Sequence, residues 1–248
     1  MAQHPAHSVW CLIASNDPEA CRRVLPLWRQ QGYKTAVLQI GTPAELTADL
    51  TVRTPADGGQ VANLNYLAER VIPKSADLVV FANDHTGPDG VFTAAELAEQ
   101  FFERFPNGFG VMQPSAELSD RFTAPTPFVG RAWVDGAYGG YGALHSGYRR
   151  WFGAELCWAA RALHAYWDRP DLAHHTVTGP GAMSAATRRD HVAEAEFLND
   201  RIIFEQRVRE GFAGCEPTGS RRLLDQQVLN EAQRMVREQI AQHARRAA

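Results

Sequence analysis

Residues 76–90 read ADLVVFANDHTGPDG, an apolar run that ends abruptly in a polar tip. Leu78–Phe81 is apolar throughout, which is typical of a strand buried on both faces of a parallel sheet. The next four residues, 83–86, read NDHT and place a carboxylate, an imidazole and a hydroxyl where the strand leaves the sheet. Because ligands of open α/β sheets bind at the carboxyl ends of the strands, this tip is a candidate ligand site.

Asp84 is the candidate metal ligand of this tip. Hard cations such as Mg²⁺ and Mn²⁺ favour oxygen ligands and often bridge a protein carboxylate to a diphosphate. The alternative is an ordinary loop aspartate that caps the next helix, since Asp and Asn are common turn residues. The residues of the tip leave both interpretations open.

The N-terminal part of the chain predicts a βαβ unit. Val9–Ala14 is a short apolar run, residues 18–32 have a helical pattern that begins with proline and stops at glycine, and Lys34–Ile40 is a second apolar run. Two such strands joined by a helix are expected to be parallel. Ser15 and Asn16 end the first strand, where they either contact a base or sugar or belong to a plain helix cap.

The rest of the chain predicts mostly helices. Thr93, with Glu96 three residues later, is typical of a capping box. The predicted elements are helices over 58–72, 92–105, 156–167, 194–210 and 223–248, and a short strand over 110–113. Residues 125–153 differ because they are dense in glycine and aromatic residues, which is typical of an acceptor-binding loop or of a structural loop packed by its rings.

Composition excludes several classes of protein. Apolar residues make up 45% of the chain, charged residues 21%, and the formal net charge is −3, so nothing drives the whole surface toward nucleic acid or anionic membrane. The four cysteines form no CxxC pair, and reduced thiols fit a cytoplasmic protein. With neither a signal peptide nor an apolar run approaching about 20 residues, we expect no membrane span.

Asp200 is the second candidate acid. At helical spacing Asp200, Phe204 and Arg207 share one face, and a carboxylate there can serve as a general base. The alternative is a solvated amphipathic helix with an ordinary Asp–Arg arrangement. No HExxH, GxSxG, GxxxxGK[ST] or GxGxxG motif occurs, which disfavours zincins, serine hydrolases, P-loop enzymes and the usual dinucleotide folds.

The order of these segments, over about residues 8–215, resembles the GT-A glycosyltransferases, particularly the family-2-like inverting group. The segments that carry the resemblance are 9–40, 58–101, 179–192 and 198–212. Two departures stand out: the usual Asp-x-Asp is here Asn83-Asp84-His85-Thr86, and the usual acidic pair is Asn199-Asp200.

The resemblance implies an α/β fold of the GT-A type, Rossmann-like, with a mostly parallel central sheet flanked by helices and a C-terminal helical extension. Residues 1–217 would form the glycosyltransferase domain, with a nucleotide-binding half over about 8–115 and an acceptor and catalytic half over 116–217. Residues 218–248 would form an amphipathic C-terminal helix.

The resemblance also implies residue roles. Asp84 matches the metal- and diphosphate-binding carboxylate, with His85 assisting, and Asp200 matches the base that deprotonates the acceptor hydroxyl. The remaining matches concern the donor: Ser15 and Asn16 in the base pocket, Asn65 on the helix near the nucleotide, and Asp57 as a weak candidate for the base pocket.

The implied activity is transfer of a hexosyl group, with inversion, from a nucleotide sugar such as a UDP-sugar, assisted by Mn²⁺ or Mg²⁺. The acceptor stays open between a glycan, a small molecule and modified nucleic acid, for which the arginines at 149, 150, 188 and 189 are candidate phosphate contacts. A nucleotidyltransferase and a binding or assembly protein without the chemistry are the alternatives. The C-terminal helix either forms a homodimer or packs on the chain's own core.

Overall fold

The computed structural model describes residues 7–116, 126–177, 191–217 and 224–247. Strands β1 to β8 are, in chain order, Val9–Ser15, Lys34–Ile40, Leu50–Thr54, Leu78–Ala82, Thr86–Gly87, Val111–Ala116, Phe128–Gly130 and Tyr166–Thr176. Helices α1 to α7 are Pro18–Gln30, Gln60–Tyr66, Ala94–Arg104, Arg131–Gly136, Phe152–Ala162, His191–Arg209 and Gln226–Ala247. A π-helical turn, Leu67–Val71, continues α2, and a 3₁₀ turn, Ala137–Gly140, follows α4.

The described strands form one mixed sheet in the order β3-β2-β1-β4-β7-β6-β8-β5. β3, β2, β1 and β4 pair in parallel, β7 lies antiparallel between β4 and β6, β8 is parallel to β6, and β5 is antiparallel to β8. The predicted α/β class, the mostly parallel sheet and the flanking helices are therefore confirmed.

The order of the strands reverses at β1. The chain moves from β1 outward to β2 and β3, then returns to place β4 on the other side of β1. Such a reversal opens a crevice outside the carboxyl ends of the two central strands, because their connections leave in opposite directions. Ser15 ends β1 and Asp84 follows β4, so both lie at this crevice.

Helices cover both faces of the sheet. α1 and α3 pack on the face that carries Cys11, Ile13 and Val80, and α2, α4, α5, α6 and α7 pack on the face that carries Leu12 and Phe81. α1 begins where the sequence predicts, because the Asp17 side chain accepts hydrogen bonds from the backbone of the first turn and Pro18 follows it. α3 begins with the predicted capping box of Thr93 and Glu96.

The helix predicted over 156–167 is wrong at its C-terminal end. α5 ends at Ala162, His164 takes a left-handed conformation with φ 52°, and the chain then enters β8 at Tyr166. β8 forms because β6 offers it a parallel partner, and that partner lies far away in the sequence. The short strands β3, β5 and β7 also went unpredicted, and residues 179–190 of the resemblance segments, with the arginines at 188 and 189, lie outside the described residues.

The C-terminal helix packs on the chain's own core, as the second alternative predicts. Leu229, Ala232 and Val236 on α7 are buried in the apolar cluster that also contains residues of α5 and α6. The predicted C-terminal helical extension is thus present. In the part of the chain that the structure describes, no helix has both the length and the apolar character needed to cross a bilayer.

Gly130, at the end of β7, packs against the loop after α3, and its substitution tests this contact. A Cβ at position 130 would overlap the Gly108 carbonyl oxygen and come within 3.0 Å of the Phe101 ring. We expect Gly130→Ala to lower the free energy of unfolding by about 1–3 kcal/mol, because a well-packed core resists added volume. Urea denaturation measures the change.

Gly136→Ala is the matched control for this prediction. Its added Cβ would meet nothing closer than Pro217 at 3.8 Å. Equal stability of the two variants would contradict the described packing of β7.

Candidate functional site

Ser15 and Asp84 come together at the crevice between β1 and β4. The Ser15 hydroxyl donates a hydrogen bond to Oδ2 of Asp84, and Oδ1 of Asp84 lies 3.0 Å from Nδ1 of His85. The Asp84 side chain is 20% exposed and that of His85 58%. The tips of two neighbouring strands are therefore joined through one partly exposed carboxylate.

The tip after β4 is held from three sides. Oδ1 of Asn83 accepts hydrogen bonds from the His85 amide at 3.1 Å and from the Thr86 hydroxyl at 2.6 Å. The Trp28 indole donates to the Thr86 carbonyl at 2.8 Å, and the Val177 amide donates to the His85 carbonyl at 2.7 Å. These bonds fix the backbone on both sides of Asp84, so its carboxylate is held in place before any ligand binds.

The capacity of this tip for a metal is limited. Within the described ranges no group of three or more His, Cys, Asp or Glu side chains is arranged to hold an ion. Asp84 and His85 are the neighbouring pair that the structure offers. Because Mg²⁺ is usually held by one or two carboxylates together with substrate phosphates, this pair fits a cation that binds with a diphosphate rather than a preformed metal centre.

A narrow pocket, with no room for a water molecule, lies beside this tip at the carboxyl ends of β1 and β2. Its lining comprises Ser15, Asn16, Pro18, Cys21, Gln39, Ile40, Thr42 and Leu46. The buried Gln39 donates to the Ala44 carbonyl at 2.7 Å and accepts from Nε of Arg53 at 3.3 Å, so it holds the loop that walls the pocket. Gln39 was not predicted as a site residue, although a lone amide inside the apolar run of β2 indicates one.

The side chains of Asp57 and Asn65 both form hydrogen bonds within the protein. Oδ1 of Asp57, close after β3, accepts hydrogen bonds from the Gly59 amide at 2.8 Å and the Asn63 side chain at 2.9 Å. The buried Asn65 side chain donates to the Leu144 carbonyl at 2.8 Å and accepts from the Leu144 amide at 3.1 Å. Asp57 thus stabilises the start of α2, and Asn65 anchors the glycine-rich segment to that helix.

Asp200 on α6 is fully buried, and backbone amides satisfy its carboxylate. It accepts hydrogen bonds from the amides of Arg149 at 3.0 and 3.2 Å, Arg150 at 2.7 Å and Trp151 at 2.8 Å. These amides immediately precede α5, where a negative charge is favoured by the helix dipole. An acceptor hydroxyl reaches Asp200 only if this segment moves.

Asp200, Phe204 and Arg207 share one face of α6, and all three are buried. The alternative of a solvated helix is therefore wrong for this face. Phe204 is in the core, and Arg207 binds the buried Glu155 of α5, with Nη2 to Oε1 at 2.8 Å. The Tyr148 hydroxyl donates to Oε2 of Glu155 at 2.8 Å. The face therefore ties α6 to α5 through a fully partnered buried charge pair.

Glu196, one turn before Asp200, contacts two arginines at once. Its Oε1 lies 2.6 Å from Nε of Arg149, and its Oε2 lies 2.5 Å from Nε of Arg150. The pKa of Glu196 is lowered, first by the hydrogen bond from Arg150; burial opposes this effect, and the hydrogen bond from Arg149 and the charges of both arginines add to the lowering. Sequence analysis selected both arginines but not Glu196, because nothing in the spacing joins positions about fifty residues apart.

His174 and His175 are neighbours on β8. His174 is buried against Trp28, its Nδ1 lies 2.9 Å from the Thr126 hydroxyl, and burial lowers its pKa to about 3. His175 is exposed, as expected for the next residue of a strand. His174 is therefore a neutral core residue.

His174 makes stability depend on pH. Its folded pKa lies below the usual value of 6.5, so the unfolded chain binds the proton more tightly. The contribution of His174 to stability is complete above its unfolded pKa, and it falls as the pH is lowered toward its folded pKa. We expect a loss of about 2 kcal/mol from this group between about pH 7 and about pH 5, measured by urea denaturation.

His174→Gln should remove most of this slope, because glutamine does not titrate. His164→Gln is the control, since that side chain is 73% exposed. A slope that is unchanged in His174→Gln would contradict the assignment.

Comparison with known proteins finds similarity to solved structures. No family model and no curated protein sequence matches the chain. Among solved structures, a single-residue variant of Drosophila β-1,4-galactosyltransferase 7, in complex with manganese, UDP-Gal and xylobiose, aligns with a TM-score of 0.43 and 13% identity. The alignment covers 66% of each chain, so this chain spans just under two thirds of that enzyme's length.

Proposed function

We propose that this protein is an inverting glycosyltransferase that uses a nucleotide-sugar donor, with Asp84 at the donor diphosphate. One observation carries the proposal: Ser15 and Asp84 are hydrogen-bonded at the crevice where the strand order reverses. Phosphate-bearing ligands bind at such crevices in open α/β sheets. The adjoining narrow pocket at the end of β2 is the proposed site for the base of the donor, which we take to be uracil, and its walls must move apart to admit that ring.

The proposed reaction is a single displacement. The acceptor oxygen bonds to the anomeric carbon while the bond from that carbon to the diphosphate breaks, and the nucleoside diphosphate leaves with the electron pair. A Mn²⁺ or Mg²⁺ ion held by Asp84, with His85 beside it, would neutralise charge on that leaving group. The proton of the acceptor passes to a base, a role that the resemblance assigns to Asp200.

The burial of Asp200 defines what the base assignment requires. Its carboxylate must be released by the amides of residues 149–151 before it can accept a proton from the acceptor. The same burial favours a second candidate function, a nucleotide-sugar-binding protein that keeps the fold without the transfer step. The acceptor stays open between a glycan, a small molecule and modified nucleic acid, and we keep residues 1–217 as the proposed transferase domain.

Asp84→Asn tests the donor site. The substitution keeps the size of the side chain and removes the charge that would hold the cation. We expect at least about a tenfold loss of UDP affinity in the presence of Mn²⁺, because charge-assisted contacts are the strong ones in such sites. Calorimetry measures the affinity, and a panel of nucleotide sugars measures donor hydrolysis.

Asp135→Asn is the control for this variant, because Asp135 is an exposed carboxylate that pairs with Lys74 far from the crevice. Equal UDP affinity of the wild-type protein and Asp84→Asn would contradict the proposed donor site.

Asp200→Asn separates the two candidate functions. An amide nitrogen would face backbone N–H donors, so we expect a loss of stability of about 1–3 kcal/mol. If Asp200 is the base, transfer is abolished at a temperature where the variant is folded, a far larger effect than any loss of UDP affinity. Melting curves, UDP calorimetry and a transfer assay with an acceptor panel give the three readouts.

Full transfer by folded Asp200→Asn would exclude the base role. UDP-sugar binding by the wild-type protein, without hydrolysis or transfer to any acceptor of the panel, would favour the binding protein.

A further inference from the structure

We infer that Arg149 and Arg150 form a binding site for the diphosphate of the donor that works without a metal ion. This inference rests on the proposed function and names a second cationic partner for the leaving group. Three lines of evidence support it: the position of the two arginines, the hydrogen-bonding groups that they leave unused, and the way in which α6 holds them.

The arginines lie at the same edge of the sheet as Asp84. The Arg149 carbonyl accepts a hydrogen bond from the Val61 amide at 3.2 Å, and a Cβ at Gly59, just beyond β3, would lie 3.4 Å from the Arg149 backbone. Phe152, at the start of α5, makes an edge contact with Phe81 of β4, with ring centroids 6.4 Å apart. The segment therefore lies between the carboxyl ends of β3 and β4.

Among the described residues, each guanidinium uses one of its donors. Both arginines contact Glu196 through Nε, and the two arginine side chains are 44% and 41% exposed. A guanidinium has five N–H donors, so the Nη groups carry four further donors on each side chain. In the part of the chain that is described, the structure gives these Nη groups no hydrogen-bond partner. Paired N–H donors of this kind match the oxygens of a phosphate.

The two carboxylates of α6 have different roles in this arrangement. Asp200 is buried and holds the backbone of the segment, so it contributes to the position of the arginines. Glu196 is partly exposed, with 15% of its side chain accessible, and it pairs with both guanidinium groups where an anion would bind. Glu196 would thus compete with a diphosphate for the two arginines.

This arrangement predicts that loss of the two arginine charges and loss of the Glu196 charge change the affinity for pyrophosphate in opposite directions. The probe is inorganic pyrophosphate in low salt with EDTA present, and calorimetry measures its affinity for the full chain. The double variant Arg149→Gln/Arg150→Gln should bind at least about tenfold more weakly, because both charge-assisted contacts are lost. Glu196→Gln should bind about threefold or more tightly, because the competing charge is gone while the side chain keeps its shape.

Arg234→Gln is the matched control, because that arginine is 72% exposed and pairs with Glu238 at 4.0 Å on α7. Its affinity for pyrophosphate should equal that of the wild-type protein. Melting curves identify any variant that fails to fold, and Glu196→Gln tests the site even if the double arginine variant does.

Three results would overturn the inference: loss of wild-type pyrophosphate binding on addition of EDTA, unchanged affinity in the folded double variant, or weaker binding by Glu196→Gln. Failure of the proposed function is distinguishable. Binding of pyrophosphate through the arginines without turnover of any nucleotide sugar would refute the transferase and keep the anion site. Turnover of a nucleotide sugar, together with unchanged pyrophosphate affinity in the double variant, would support the transferase and refute the anion site.

Discussion

The pairing of β1 with both β2 and β4 is the constraint on which the rest of the structure depends. Once β4 lies beside β1, the polar residues that end the two strands meet, and Ser15 donates its hydroxyl to Asp84. Because the strand order reverses at β1, the connections that leave β1 and β4 run in opposite directions and open the crevice. The apolar centres of both strands make the pairing favourable, because each strand is covered by helices on both faces.

Three carboxylates at the carboxyl edge of the sheet differ in role because they differ in burial and in hydrogen-bond partners. Asp84 is partly exposed and hydrogen-bonded to Ser15 at the end of β1 and to the neighbouring His85, so it is accessible to a ligand. Asp200 is fully buried and bonded to backbone amides, so it holds a segment in place. Glu196 lies between these extremes and pairs with two arginines. Residue type alone does not distinguish these cases, whereas the hydrogen-bond partners do.

The parts of the fold that follow local rules could be predicted from the sequence. The apolar run Leu78–Phe81 is the core of β4, and Thr93 with Glu96 begins α3. β8 could not be predicted, because residues after Ala162 continue a helical pattern until β6 pairs with them across the sheet. Likewise, the contacts of Asp200 depend on residues about fifty positions away, and no spacing rule reaches that far.

A crystal structure of the protein with UDP bound would test the central claim most directly. The claim is that the donor diphosphate binds where the tips of β1 and β4 meet. We predict that the uracil lies in the pocket beside Ser15 and that the diphosphate lies between Asp84 and the two arginines at 149 and 150. A nucleotide bound elsewhere, with the hydrogen bond between Ser15 and Asp84 unchanged and no phosphate near it, would contradict the account.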